Sequence, residues 1–276
     1  MITISNQKLP IGYNNEDLKK CVTKILNTSA DNIASVSLRR ISIDARKKQD
    51  IHYVATIDVN VHTNESGIVK KSSGKAQISP YSEYKFTSEK KLSTRPVIVG
   101  AGPAGLFCAL LLARNGARPI IIERGECVEN RTRTIDNFFK NGMLNTSSNI
   151  QFGEGGAGTF SDGKLNTGTK DKRAGFILKE FVLHGAPDEI LISAKPHIGT
   201  DKLKIAIASI REEIKSLGGE FMFNTLFSDF HAENGKITSI TVIKKGYKET
   251  IDTDTVVLAT GHSARDTFEI LKGKNI

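Results

Sequence analysis

The sequence predicts an α/β protein: a Rossmann-like dinucleotide-binding unit that includes a β-meander, preceded by a small α+β unit. Three observations predict it. A glycine fingerprint, Gly100-Ala101-Gly102-Pro103-Ala104-Gly105, lies between the apolar run Val97-Ile98-Val99 and residues 106–113, which are helical in character. A second apolar run, Ile120-Ile121-Ile122, ends in Glu123, 18 positions after Gly105. Ahead of both, Ile51, Tyr53, Ala55, Ile57, Val59 and Val61 alternate along the chain, as a strand with one buried face requires.

The fingerprint asks for glycine three times. Gly100 allows the tight turn, Gly102 lets the backbone approach a phosphate, and Gly105 lets the helix pack closely on the strand. Pro103 and Ala104 open a helix whose first turn presents unpaired N–H groups and a positive dipole end to an anion. Gly116 is placed to stop that helix. An acidic side chain at the end of the next strand, Glu123, reaches the ribose hydroxyls of the adenosine half.

Residues 1–90 read as a separate basic α+β domain, for which a ferredoxin-like arrangement is one option; residues 91–276 form the nucleotide-binding domain. Leu18, Val22, Ile25 and Leu26 give residues 17–26 one apolar helical face. Val36-x-Leu38 and Ile41-x-Ile43 alternate, but the phase slips across Arg39-Arg40, which predicts a bulge there. Residues 44–48 are a charged connection between two strands. His52 and His62 would share a strand face about 33 Å apart, too far to hold one metal, and no metal site is expected. Residues 80–95 are polar and without periodicity, and read as a linker.

Composition excludes several classes of function. With 276 residues, 38% hydrophobic and 25% charged, the chain resembles an ordinary globular protein. Its longest apolar stretch, residues 106–113, is too short to span a bilayer, and no signal pattern is visible. Cys21, Cys108 and Cys127 form no CxxC pair, so a reducing compartment, the cytoplasm, is expected; Cys108 reads as a buried small apolar residue. The net charge is +9, and residues 1–90 hold 14 Lys and Arg against 9 Asp and Glu. Few aromatics and no zinc-finger spacing or Arg-rich helix accompany that excess, so nucleic acid is not the expected partner.

Past Glu123, residues 173–184 and 201–217 have helical periodicity, and Gly218-Gly219 stops the second stretch. A three-stranded meander follows, turning at Asn234-Gly235 and Lys245-Gly246. A buried-type strand then runs into Ala259-Thr260-Gly261. This order resembles the FAD domain of glutathione-reductase-like and related flavoproteins. The resemblance implies that Ala259, Thr260 and Gly261 return beside the fingerprint, and Glu123-Arg124-Gly125 is common at that point in such proteins. The thiol-relay branch carries a CxxxxC after this glutamate; here the chain has instead the segment from Phe152 to Lys164, so disulfide reduction is not expected. A narrower resemblance rests on that segment, on Lys195-Pro196-His197-Ile198-Gly199-Thr200-Asp201, on Gly261-His262-Ser263-Ala264-Arg265-Asp266 and on Ile43-Asp44-Ala45-Arg46-Lys47-Lys48. The chain resembles the N-terminal part of a family of poorly characterised FAD-dependent dehydrogenases. That implies an FAD-binding oxidoreductase, with NAD(P)H one candidate electron donor, and leaves the substrate or redox partner unnamed.

Within residues 153–164, successive glycines, Gly155, Gly156 and Gly158 among them, can turn N–H groups toward an anion or a reduced flavin; a flexible connector is the alternative. Lys164 fits either stabilisation of a reduced flavin or an ordinary surface lysine, and Ser161 or Asp162 could orient it. Phe227 lies on the strand expected near adenine. His262 follows the cofactor-contacting turn and is the second catalytic candidate, whereas His197 reads as structural. Thr200 or Asp201 is expected to start a helix, and Ser263 with Asp266 reads as a capping box for residues 264–271. The chain is read as the front part of a longer enzyme, with a missing segment or an oligomer partner supplying a late strand. The competing readings are a cofactor-binding fragment without turnover and an RNA-modifying flavoprotein.

Overall fold

The computed structural model describes residues 1–79, 84–86, 91–165, 167–169 and 171–276. Much of the expected linker, at 80–83 and 87–90, lies outside the described residues. The chain forms two compact units: Met1–Tyr84 with Leu165–Lys179 and Pro187–His197, and Lys85–Lys164 with Glu180–Ala186 and Ile198–Ile276.

The first unit runs β1 (Ile2–Leu9), α1 (Asn15–Leu26), β2 (Ile33–Asp44), β3 (His52–Val61), α2 (Glu65–Lys71) and β4 (Ala76–Ile78). Its antiparallel sheet has the order β2-β3-β1-β4, which is the ferredoxin-like split βαβ arrangement. Ile57 and Val59 on β3 pack with Ile2 and Ile4 on β1 and with Leu18, Val22 and Leu26 on α1. Asn14 and Asp17 close a capping box at the start of α1, each side chain accepting the other's backbone N–H. The β2–β3 register shifts between Leu38 and Arg40, at the predicted bulge. A second shift, between Ile4 and Gln7 on β1, surrounds Asn6, whose φ is +55°. That shift breaks the alternation of β1, which therefore carries no clean strand pattern. The outer edge of β2 is met by a later segment: Ile41 N–H donates to Ile192 O at 2.7 Å, and Ala194 N–H donates to Ile41 O at 2.9 Å.

The second unit contains β5 (Val97–Val99), α3 (Pro103–Arg114), β6 (Ile120–Ile122) and α4 (Val128–Asn141). The helix α5 (Arg173–Leu183) contributes its last turn, and α6 (Thr200–Ser216) follows. Then come β7 (Glu220–Met222), β8 (Thr225–Glu233), β9 (Lys236–Lys244), β10 (Tyr247–Asp252), β11 (Val256–Leu258) and α7 (Arg265–Gly273). A parallel sheet of order β11-β5-β6-β7 is joined by the meander β10-β9-β8. The β5 and β6 runs are apolar throughout because both faces are covered. One face, from Val97, Val99, Ile120 and Ile122, packs with Phe227, Phe230, Ile240 and Val242 of the meander. Among the described residues no helix is long and apolar enough to cross a membrane.

Two local expectations are corrected. The helix α7 has Ala264 at its N-cap with no side-chain cap, and Asp266 instead pairs with Arg124 at 2.5 Å. Its Ser263 hydroxyl turns to the His262 ring and to Gln151, so no capping box forms. The helix α6 begins at Thr200, as expected, behind Gly199, whose φ of +84° turns the chain. Cys108 is half-buried rather than buried.

Candidate functional site

Three short parallel strands end side by side, and their C-terminal loops enclose a cavity of about 480 Å3. Gly100, Gly102, Pro103 and Ala104 enter it from the loop after β5. Glu123 and Arg124 follow β6; Ala259, Thr260, Gly261 and His262 follow β11. Phe227 and Thr225 on β8 form another wall, and Gly153, Gly156 and Ala157 a further one.

The three fingerprint glycines differ in what surrounds them. Gly100 has φ +107°, and an added Cβ would lie 2.5 Å from the Ala259 carbonyl oxygen. Gly105 is buried in the first turn of α3, where a Cβ would come 1.8 Å from Gly100 O. Gly102 is the opposite: a Cβ there would meet nothing within 4 Å, because it would point into the open cavity. Gly102 is also the N-cap of α3, with no side-chain cap and Pro103 behind it. The positive end of α3 therefore faces the cavity with no side-chain cap on it among the described residues.

Glu123 is buried, and its carboxylate braces two loops. Oε2 accepts the Ala101 N–H at 2.8 Å, and Oε1 accepts the Gly125 N–H at 2.7 Å. Each oxygen keeps a lone pair for a further donor from the cavity side. Arg124 is held by Asp266, and His262 lies 3.2 Å from the Ser263 hydroxyl.

Five expected site residues lie outside the cavity lining. Gly105 acts beneath it, as described. Gly155 is buried, donating its N–H to Ala101 O at 2.9 Å, with the Thr159 hydroxyl 2.3 Å from where a Cβ would sit. Gly158 and Ser161 are exposed, the Ser161 hydroxyl 3.5 Å from Gly158 O. Lys164 is exposed and paired with Asp162 at 2.6 Å, a contact that raises the lysine and lowers the carboxyl.

The structure adds residues that sequence reasoning missed. Thr146, Ser147, Gln151 and Phe152 line the cavity from a segment without helical or strand periodicity. Behind them, Arg131 is fully buried. Its guanidinium donates to the carbonyls of Asn149, Ile150, Gly153 and Glu154, and it lies 4.6 Å from the Phe160 ring centre. Burial pulls Arg131 down to about 10, so it remains charged at neutral pH. Beside it the buried Glu154 accepts the Val128 N–H at 2.7 Å and Arg211 at 2.6 Å through Oε2, while its Oε1 has no partner among the described residues. Burial pushes the Glu154 carboxyl up to about 7 against the attraction of Arg211. The sequence signal for Arg131 was its place on the apolar stripe of α4, between Val128 and Ile135.

A family model described as pyridine nucleotide-disulphide oxidoreductase matches residues 94–274, from just before β5 to the end of α7. The chain belongs to that oxidoreductase family. A domain of unknown function matches residues 1–60. An uncharacterized protein of Clostridium beijerinckii is 45% identical over 278 residues, covering 100% of this chain and 51% of the relative. The chain thus spans about half the length of that curated relative. Among solved structures, THI4 of Thermovibrio ammonificans matches with 19% identity and TM-score 0.45, covering 66% of this chain and 63% of that one. The 3-ketosteroid-Δ4-(5α)-dehydrogenase of Rhodococcus jostii RHA1 matches with 15% identity and TM-score 0.41, covering 69% and 50%.

Proposed function

We propose that the dinucleotide taken by this member of the oxidoreductase family is FAD, and that the protein is an FAD-dependent dehydrogenase. The observation that carries the reading is Gly102: it leaves open space at an uncapped helix N-terminus, inside a cavity that also holds the Glu123 carboxylate. The residues present suit the group. Gly102 and the first N–H groups of α3 would face the diphosphate, and the spare lone pairs of Glu123 would accept ribose hydroxyls. Phe227 and Val99 supply apolar surface to the same cavity, and Gly156, Gly261 and His262 supply other parts of its wall.

When bound, FAD would supply two-electron chemistry, taking a hydride from a small-molecule substrate or from NAD(P)H. The chain's own part is to bind, orient and hold protons. His262 is the group proposed to hold a proton at the cavity, through the ring nitrogen beside Ser263. Lys164 is the second candidate, as a charge that tunes the cofactor from outside the lining. A dithiol relay is not part of the proposal, since the chain carries no CxxxxC directly after Glu123, where that branch has one.

The test is titration of the purified chain with FAD, followed by flavin fluorescence and absorbance. Wild type is expected to take up about one FAD, and Gly102→Val to take up none while melting at the wild-type temperature, because the valine fills space rather than clashing. A complete protein that purifies colourless and takes up no added FAD overturns the reading.

A further inference from the structure

We infer that Arg131 is a positioning residue that shapes the cavity wall formed by residues 149–154 without touching what the cavity holds. The inference rests on the FAD reading for its binding consequence only. Residues 149–154 contain no helix or strand and have no ladder to satisfy their carbonyls. Four of those carbonyls, at Asn149, Ile150, Gly153 and Glu154, converge on one guanidinium at 2.6–3.2 Å. Arginine suits this task because its five donors sit in a rigid fork; an ammonium offers three donors from a single point. The fork is itself fixed. Arg131 lies in the first turn of α4, with Phe160 against its guanidinium and Lys204 4.4 Å from the same ring centre.

From this clamp the constraint passes directly to the cavity. Gln151, Phe152 and Gly153 lie within the clamped segment and line the cavity, whereas Arg131 is fully buried and outside the lining. The segment continues into Gly155, whose N–H is bonded to Ala101 O, and Ala101 N–H is bonded in turn to Glu123. Clamp, fingerprint and ribose-side carboxylate therefore form one connected framework. Gly153 fits the same picture, since a Cβ there would lie 2.7 Å from the Arg131 Cδ.

The experiment compares wild type, Arg131→Lys, Phe160→Leu and Ile214→Ala in the 276-residue chain. Ile214 is a buried α6 residue outside the cavity lining and serves as a matched loss of stability. Amide hydrogen exchange is measured without ligand, and FAD affinity by fluorescence quenching, both well below the melting temperature. Arg131→Lys is expected to speed exchange in residues 149–154 and to weaken FAD binding roughly tenfold, the scale of a lost charged hydrogen bond. Phe160→Leu should act in the same direction by a few-fold, and it keeps the comparison informative if Arg131→Lys does not fold. Ile214→Ala should lower the melting temperature and leave both readouts at wild-type values. Wild-type exchange in residues 149–154 of Arg131→Lys overturns the inference, as does an Ile214→Ala chain that loses as much affinity. If the 276-residue wild type binds no FAD, the exchange data alone decide the role of Arg131.

Discussion

The two sheets of this chain are built on different plans. In the first unit, strands of up to 12 residues pair along most of their length, and alternating side chains supply the core. In the second, every strand of the parallel sheet is three residues long, and each gives way at once to irregular backbone. Long ladders hold themselves together. Short strands leave the chain free to form a cavity, and cohesion there passes to close glycine contacts and buried charged groups such as Glu123, Arg131 and Glu154.

That contrast can be broken most sharply at Gly105. An alanine there would place its Cβ 1.8 Å from Gly100 O, a backbone atom that no side-chain rotation can move aside, so Gly105→Ala is expected to prevent the second unit from folding. Hydrogen exchange should show protection lost in β5, β6 and α3 and kept in β1–β3. Equal loss in both units would mean that they do not fold independently. In the first unit the corresponding blow is a cavity. Ile57→Ala removes a fully buried side chain from the middle of the sheet and should cost about 2–5 kcal/mol in urea unfolding, without altering the cavity of the second unit.

Buried charge gives the second unit a pH response near neutrality. Glu154 has its folded value raised from 4.5 to about 7, so between those values the folded chain holds more protons than the unfolded one. Its contribution to stability is therefore full below about pH 4.5 and lost as the pH rises through 7, by up to about 3 kcal/mol. Urea titrations from pH 5 to 8 should show this slope, and Glu154→Gln should flatten it. Glu129 runs the other way: its hydrogen bonds to Arg211 hold it at about 2, so its share is lost only as the pH falls toward that value. The smallest effect belongs to the first unit. Asn14→Ala removes the capping box of α1 and should cost about 1 kcal/mol by the same measurement.

Much of the fold was legible because its causes are local. The fingerprint, the β3 alternation, the phase slip at Arg39-Arg40 and the turns of the meander each depend on a few neighbouring residues. The site was legible only where glycine or a strand end marked it: twelve expected residues, from Gly100 to His262, do line the cavity. Gln151 and Phe152 stayed hidden because their placement is decided by Arg131, some twenty positions earlier, through backbone carbonyls that leave no trace in side-chain periodicity. Ser263 and Asp266 misled for a related reason. Each found a better partner across the fold than its own helix offered.

The pairing of Ile41 with residues 192–194 has a consequence for synthesis of the chain. Emerging from the ribosome, β1, β2 and β3 can assemble once residue 61 is clear, yet the outer rim of β2 waits for a segment more than a hundred residues behind. At ordinary elongation rates that interval is on the order of ten seconds. During it the nascent sheet presents a row of unsatisfied N–H and C=O groups, a template for a neighbouring nascent chain. Translation speed and ribosome spacing over residues 62–194 thus become determinants of how much correctly folded protein a cell recovers.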